Sequence, residues 1–81
     1  MRIELTRRAD KDYDKLSPQL QRQVEKQFGF LAENIRHPSL DAKKYGATDD
    51  VWQGRVNRDY RFYFQIIDDT YRILTIIPHP K

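Results

Sequence analysis

Three strand-like segments in the C-terminal part of the chain are joined by links of only two residues. The segments are VWQGRVN (51–57), YRFYFQII (60–67) and TYRILTII (70–77), and the links are Arg58-Asp59 and Asp68-Asp69. A link of this length suits a β-hairpin, whereas a parallel connection needs a crossover of about a dozen residues or more. This part of the chain is therefore predicted to be a three-stranded antiparallel meander.

The first half of the chain predicts a short strand followed by two helices. RIELTR alternates apolar and polar residues, as a strand does, and ADKDYDKL has apolar residues at helical spacing. Ser17 and Pro18 indicate the start of a second helix, because serine caps free N–H groups and proline suits the first helical position. Apolar residues then recur every three or four positions, and a following proline predicts that this helix ends near Asn34.

The element order predicts one α+β domain over residues 1–81, with the order β-α-α-β-β-β and the helical hairpin packed on one face of the sheet. The segment HPSLDAKKYGATDD (37–50) is predicted to be an irregular connection. His37 is predicted to cap the end of the second helix, where an imidazolium would interact favourably with the helix dipole. Trp52 is assigned to the helix-facing side of the sheet, with the sheet rim as the alternative.

The composition limits the chemistry that this chain can perform. It has no Cys and only two His, so any catalysis is expected to be metal-free and to use no cofactor. No segment reaches the roughly 20 apolar residues of a membrane span, and the N-terminus is too polar for a signal peptide, so a cytoplasmic location is expected. The net charge is a modest +3, but the late cations lie among strands and aromatic residues, as in nucleic-acid-binding surfaces.

One face of the predicted meander collects cationic and aromatic side chains. By strand parity, Arg55, Arg61 and Tyr63 share this face with Gln53 and Gln65. Antiparallel sheets commonly keep one polar face in water, so a solvated surface is one interpretation. An RNA-binding surface is the other, because guanidinium groups bind phosphates and planar side chains stack on bases.

The last strand is apolar on both sides, so its register does not follow from the pattern. If Leu74 and Ile76 face the helices, then Thr75, Ile77 and His79 lie on the side of the arginines. His79 is then either a proton-transfer residue or simply the end of a strand.

The chain resembles toxins of the RelE/ParE superfamily, the small toxins of type II toxin–antitoxin pairs. The resemblance covers nearly the whole sequence and is most specific in DYRFYFQI (59–66), with support from RVN before it and from the linker HPSL…KKYGATDDVW. It implies a twisted antiparallel sheet with two helices on one face and a concave basic face on the other.

For the branch of this superfamily that cleaves RNA, the resemblance implies metal-free, ribosome-dependent cleavage of mRNA in the A site. The 2′-hydroxyl would attack the adjacent phosphate and leave a 2′,3′-cyclic phosphate. The resemblance implies Arg61 as the phosphate-stabilising residue, Arg55 as support for proton transfer or the transition state, and His79 and Lys81 as basic residues past the last strand. RNA-binding roles are expected for Lys43, Lys44, Arg58, Tyr63 and Gln53.

Two departures from the family pattern leave other functions open. Gln53 stands where some active members carry a lysine, and the chain stops at Lys81, before the tail in which many members keep a catalytic tyrosine or histidine. The alternatives are a ParE-like inhibitor of DNA gyrase and a catalytically degenerate homologue that only binds antitoxin. In each case a cognate antitoxin that covers or distorts the basic face is the expected partner.

Overall fold

The computed structural model describes residues 1–46 and 50–79, which form two helices and a five-stranded mixed sheet. The elements in chain order are β1 (Arg2–Leu5), α1 (Arg7–Asp14), α2 (Pro18–Glu33), a 3-10 turn (Pro38–Leu40), β2 (Lys43–Lys44), β3 (Val51–Arg55), β4 (Tyr60–Ile67) and β5 (Thr70–Pro78). Across the sheet the strands follow the order β1-β5-β4-β3-β2. The predicted α+β class is confirmed.

The antiparallel meander is confirmed by the pairing of its strands. Arg55 of β3 lies opposite Arg61 of β4, and Ile67 of β4 lies opposite Thr70 of β5. The second hairpin therefore turns at the predicted link, Asp68-Asp69. The first turn is longer than the predicted link, because β3 ends at Arg55 and β4 begins at Tyr60. In the second link Asp68 has a φ of 54°, a left-handed conformation that aspartate tolerates better than most residues.

The two edges of the sheet differ from the predicted three-stranded meander. β1 pairs in parallel with β5, with Ile3 opposite Tyr71. At the other edge the segment predicted to be irregular contains β2, in which Lys43 lies opposite Gln53. The sequence pattern predicts the first strand but not which strand it pairs with, because a parallel pair joins segments that are far apart in the chain.

A β-bulge interrupts the alternation of β5. Thr75 lies opposite Tyr63, whereas Ile73 lies opposite Phe64, so Leu74 is an extra residue in this strand. Ile73 and Ile76 are consequently both buried although they are three positions apart. Of the two residues expected to face the helices, Ile76 is buried and Leu74 is the bulge residue. Thr75 and Ile77 share a face with the arginines, as that expectation implied, since they pair with Tyr63 and Arg61.

Side-chain caps define where both helices begin. The Thr6 hydroxyl accepts a hydrogen bond from the Ala9 N–H at 3.1 Å, and the Ser17 hydroxyl accepts one from the Leu20 N–H at 3.2 Å. The start of α2 at Ser17 and Pro18 and its end before Asn34 agree with the prediction.

Helix α1 covers the edge of β5 beyond the point where β1 ends. The Thr6 N–H donates to the Ile73 carbonyl, and the Thr6 hydroxyl donates to the Leu74 carbonyl at 3.0 Å. Further along, Asp12 Oδ2 accepts from the Thr75 hydroxyl at 2.6 Å and from the Ile76 N–H at 3.1 Å. These contacts satisfy strand-edge groups that would otherwise be open to pairing with another chain.

The core lies between the helices and one face of the sheet. Phe28 of α2 meets Phe62 of β4 edge-on, with ring centroids 5.1 Å apart, and Phe62 and Phe64 are fully buried. Trp52 is half-buried and stacks on Phe64 at 6.2 Å, as its helix-facing parity predicts. The Phe62 ring lies against buried Gly54, where a Cβ atom would approach Phe62 Cε2 to 2.7 Å, so this position requires glycine.

His37 is a capping residue, as predicted, but it caps the 3-10 turn and not the end of α2. Its Nδ1 atom accepts a hydrogen bond from the Ser39 N–H at 3.2 Å and so caps the start of the 3-10 turn. Its ring stacks on Phe30 with centroids 3.8 Å apart. Both contacts join His37 to neighbouring residues and do not extend to the last carbonyls of α2.

In the described parts of the chain, no helix is long and apolar enough to cross a membrane.

Candidate nucleic-acid interface

The second face of the sheet, called the open face below, is the side opposite the helices. The contact between Phe28 and Phe62 places α2 on the other side, so side chains of opposite parity in β3, β4 and β5 point away from the core. Strand pairing assigns the following residues to the open face: Lys43, Gln53, Arg55, Arg61, Tyr63, Gln65, Arg72, Thr75 and Ile77. This surface has the predicted mixture of cations, amides and an aromatic ring.

Two arginines occupy directly opposite positions on the open face. Arg55 and Arg61 are a cross-strand pair, for which Cβ atoms are typically about 5 Å apart. Within residues 1–46 and 50–79, neither guanidinium group forms an ion pair with a carboxylate. Two like charges placed side by side in a sheet are unfavourable, and an anion between them would relieve the repulsion.

The Arg61 side chain is held by the turn that joins β3 to β4. Its Nη1 atom donates to the Asn57 carbonyl at 2.6 Å and to the Tyr60 carbonyl at 3.0 Å. Arg61 is therefore half-buried. The contacts fix the direction of the guanidinium group but use only one of its three nitrogens.

The same turn is ordered by the Asn57 side chain. Its Oδ1 atom accepts from the N–H groups of Asp59 and Tyr60 at 2.8 and 2.9 Å, and its Nδ2 atom donates to Gln23 Oε1 of α2. Asparagine commonly stabilises turns in this way.

A buried glutamine that the sequence pattern did not indicate positions Arg55. Gln27 of α2 is only 5% exposed, and its Nε2 atom donates to the Arg55 carbonyl at 2.7 Å and to the Ser39 carbonyl at 3.0 Å. Its Oε1 atom accepts from the Ser39 hydroxyl at 3.3 Å. The end of β3 is thus tied to α2 and to the 3-10 turn through one amide group.

Two tyrosines form an aromatic corner on the open face. The ring of Tyr63 meets the ring of Tyr45 edge-on at 5.1 Å, and Tyr45 is 56% exposed. Burial raises the pKa of the Tyr63 hydroxyl above its ordinary value, Tyr45 raises it further, and the positive charge of Arg61 lowers it. Tyr63 therefore stays protonated at neutral pH and can donate a hydrogen bond. Tyr45 was not among the predicted site residues.

The remaining predicted site residues are distributed unevenly. The exposed residue His79 follows β5, and its backbone N–H donates to the Asp59 carbonyl at 2.7 Å, which places it beside the turn that holds Arg61. Arg58 is exposed in that turn. Lys44 lies opposite Trp52, on the other parity from Lys43, so only Lys43 joins the open face. The predicted catalytic residue Lys81 lies outside the described residues.

A metal site is not formed by the described part of the chain, where no three His, Cys, Asp or Glu residues are grouped closely enough to hold an ion. The open face instead offers guanidinium groups, a lysine, amides and tyrosine hydroxyls. Such groups can bind phosphate oxygens, stabilise developing negative charge and stack on bases.

The fold is that of the RelE-like toxins. It is similar to the YoeB/ParE toxin from Agrobacterium tumefaciens, with a TM-score of 0.83 over 99% of this chain and 100% of that chain at 10% identity. It is also similar to a chain of the intact E. coli RelBE toxin–antitoxin complex, with a TM-score of 0.78, 19% identity and coverage of 99% and 98%. For the RelBE2 toxin–antitoxin complex of Mycobacterium tuberculosis the TM-score is 0.81 at 23% identity, with coverage of 99% and 92%.

The sequence defines the family more closely than the fold does. A sequence profile described as the ParE toxin of the type II toxin–antitoxin system parDE matches residues 3–80. The chain therefore belongs to the ParE toxin family of type II toxin–antitoxin systems, within the superfamily that the sequence resembles. No protein of curated function matches the sequence significantly.

Proposed function

We propose that this toxin is a metal-free endoribonuclease that cleaves mRNA on the ribosome and so inhibits translation. The observation that carries the proposal is the pair of arginines, Arg55 and Arg61, which face each other on the open face without a carboxylate partner in the described residues. A phosphodiester placed between them would satisfy both cations.

The chemistry needs a base for the 2′-hydroxyl, a donor for the 5′-oxygen and cations near the phosphorane. Arg61 is held by carbonyls of its own turn, so its guanidinium group is pre-oriented to stabilise the charge that develops on the phosphate. Arg55 contributes the second cation. His79 lies next to the same turn and is proposed to transfer a proton, since histidine is the usual side chain for this task near neutral pH. Lys81 is proposed to assist at the leaving group.

Binding of the RNA strand is assigned to residues around the arginine pair. Lys43 and Arg58 would contact phosphates, Gln53 would hydrogen-bond to a base or ribose, and Tyr63 would stack on a base. Lys44 is left out of this set, because its strand register directs it away from the open face.

A cognate antitoxin is the proposed partner of this chain. Several similar solved structures are toxin–antitoxin complexes, including E. coli RelBE and M. tuberculosis RelBE2. An antitoxin segment that covers the open face would block access of RNA to Arg55 and Arg61. Acidic side chains in that segment would complement the unopposed cations.

A second candidate function is inhibition of DNA gyrase without RNA cleavage. The family profile, which is that of the ParE toxins, favours it. Gln53 favours it as well, because an amide cannot act as an acid or a base at the position where some RNases of the superfamily carry a lysine. In this case the open face would be a binding surface for protein.

Induction of the toxin without antitoxin separates the two candidates. RNA cleavage predicts arrested translation and new mRNA 5′ ends that are phased with codons, whereas gyrase inhibition predicts DNA breaks with intact mRNA. Growth arrest without codon-phased 5′ ends would refute the ribonuclease proposal, and undisturbed growth would indicate a degenerate antitoxin-binding protein.

Variants of the open face test which residues carry the reaction. Arg55→Ala removes an exposed side chain and is expected to abolish cleavage without unfolding the protein, whereas Arg22→Ala on the exposed side of α2 should cleave normally. His79→Ala tests proton transfer. If its cleavage rate equals that of the wild type, the reaction does not use this histidine.

A further inference from the structure

Helix α1 carries a cluster of four cations that the open face does not include. Arg7, Arg8, Lys11 and Lys15 are exposed and line a groove on the surface of the protein together with Asp12. These four residues are called the α1 stripe below. None of them is among the residues that the family resemblance assigns to RNA cleavage.

Helical geometry places the four cations on one side of α1. With a rotation of roughly 100° per residue, Arg7, Lys11 and Lys15 form an i, i+4, i+8 row, and Arg8 lies beside it. The same rotation puts the exposed residues Asp10 and Asp14 beside this row, about 60° and 20° from Arg7. Within the described segments, 1–46 and 50–79, no member of the α1 stripe forms an ion pair with a carboxylate. The stripe therefore presents four positive charges that no direct ion pair in these segments neutralises.

The only acidic residue in the groove is engaged by the sheet. Asp12 Oδ2 accepts from the Thr75 hydroxyl at 2.6 Å and from the Ile76 N–H at 3.1 Å. These bonds orient the carboxylate toward β5 and away from an incoming ligand. They also join the groove to the open face, because Thr75 lies opposite Tyr63 in the sheet. A ligand that crosses Tyr63 and Thr75 from the arginine pair arrives at the α1 stripe.

We propose that the α1 stripe binds the sugar–phosphate backbone of the RNA strand whose scissile phosphate lies at Arg55 and Arg61. This inference depends on the proposed RNA substrate and adds a second contact region beside the reacting group. The stripe contributes affinity and strand direction and takes no part in bond cleavage. Phosphate contacts position a nucleic acid in this way without reading its sequence.

The lining of the groove favours a phosphate backbone over a protein partner. It contains the side chains of two arginines, two lysines and one aspartate and no apolar side chain. The centres of protein–protein interfaces are depleted in lysine and rich in apolar and aromatic residues. Sugar–phosphate chains, by contrast, are bound mainly by arginine and lysine.

The salt dependence of RNA binding tests this assignment. The binding of a fluorescent single-stranded RNA oligonucleotide by the full chain is measured by anisotropy at several salt concentrations. The plot of log K against log salt has a negative slope, and each lost phosphate contact reduces its magnitude by about 0.7 for single strands. The double variant Lys11→Gln/Lys15→Gln is therefore expected to reduce the magnitude of the slope by about 1.4 and to weaken binding at low salt.

The matched control removes the same charge from another exposed helix surface. Arg22→Gln/Lys26→Gln on α2 should keep the slope of the wild type, since these residues lie outside the groove. Equal slopes for the wild type and the Lys11/Lys15 variant would overturn the inference, and so would an equal loss of slope in the α2 control. Codon-phased cleavage is scored separately, so a failure of the ribonuclease proposal is distinguishable from a failure of the α1 stripe to bind RNA.

Discussion

The buried amide of Gln27 allows a quantitative test of how the arginine pair is positioned. The informative change is Gln27→Leu, which keeps roughly the volume of the side chain and removes its hydrogen-bonding groups. The Arg55 and Ser39 carbonyls then lose a donor at 2.7 and 3.0 Å, and the Ser39 hydroxyl loses an acceptor at 3.3 Å. The Ser39 hydroxyl keeps His37 Nδ1 at 2.9 Å as a partner, so the loss of stability comes mainly from the two carbonyls that lose their donor.

The expected loss of stability follows from these contacts. Two hydrogen bonds with a net value of about 1 kcal/mol each give about 2 kcal/mol. A carbonyl that remains buried without a partner adds a desolvation cost of about 1–3 kcal/mol, and the greater hydrophobicity of leucine recovers part of it. The free energy of unfolding should therefore fall by about 2–4 kcal/mol, a large part of the 5–15 kcal/mol that is typical of small proteins.

Urea unfolding followed by tryptophan fluorescence measures this loss. Trp52 is the only tryptophan, and its contact with Phe64 makes its emission sensitive to the core. The control is Gln19→Leu at an exposed position of α2, which should change stability by less than about 0.5 kcal/mol. A Gln27→Leu variant as stable as this control would refute the argument that Gln27 ties β3 to α2.

Three further predictions concern the fold. Gly54→Ala should destabilise the protein by about 1–3 kcal/mol, because the new methyl group meets the buried ring of Phe62. Gly29→Ala, at an exposed position of α2 with space for a methyl group, should stabilise the protein by up to about 1 kcal/mol. Urea midpoints of the two variants that shift in the same direction would contradict this prediction. Thr6→Ala should cost about 1–2 kcal/mol by removing the α1 cap and the bond to β5, and Thr6→Ser should retain most of that energy in the same assay. Burial raises the pKa of Tyr71 above its unfolded value of about 10. The contribution of Tyr71 to stability is therefore complete below that pH and is lost as the pH rises further. Tyr71→Phe should weaken the decline of the urea midpoint above about pH 10, and an unchanged decline would show that Tyr71 is not its source.

Signals that act over a few residues predicted the corresponding structure correctly. Ser17 and Pro18 specify the start of α2 because the capping bond and the proline geometry depend only on neighbouring residues. The link Asp68-Asp69 likewise specifies an antiparallel hairpin and its register. The link Arg58-Asp59 predicts the first hairpin but not its register, because a two-residue link would pair Arg55 with Phe62, whereas Arg55 lies opposite Arg61. The open face could be predicted because its residues belong to adjacent strands of one meander.

Features that depend on distant parts of the chain could not be predicted from the pattern. β1 pairs with β5 across the whole length of the domain, and the bulge at Leu74 changes the alternation of a strand that is apolar on both sides. β2 contains only Lys43 and Lys44, which is too short for any periodicity to appear. Its pairing nevertheless decides that Lys43 shares the open face and Lys44 does not.

Side-chain hydrogen bonds explain the other differences at the site. Gln27 is a polar residue on an otherwise apolar helix face. Its hydrogen bonds to the Arg55 and Ser39 carbonyls form only when β3 and the 3-10 turn pack against α2, so the sequence pattern does not indicate them. Periodicity assigns Arg61 to the open side of the sheet but contains no information about the turn carbonyls that hold its guanidinium group. Periodicity likewise gives no information about the cap that His37 forms, because this cap depends on the local conformation of the 3-10 turn.

The parallel pairing of β1 with β5 has a consequence for how the protein is made. β1 cannot pair with β5 until Thr70, the partner of Arg2, has emerged from the ribosome, a delay on the order of 10 s at typical rates of synthesis. Until then α1 lacks the strand edge that Thr6 and Asp12 bind. The sheet that carries Arg55 and Arg61 is therefore completed only when translation of the domain is nearly finished.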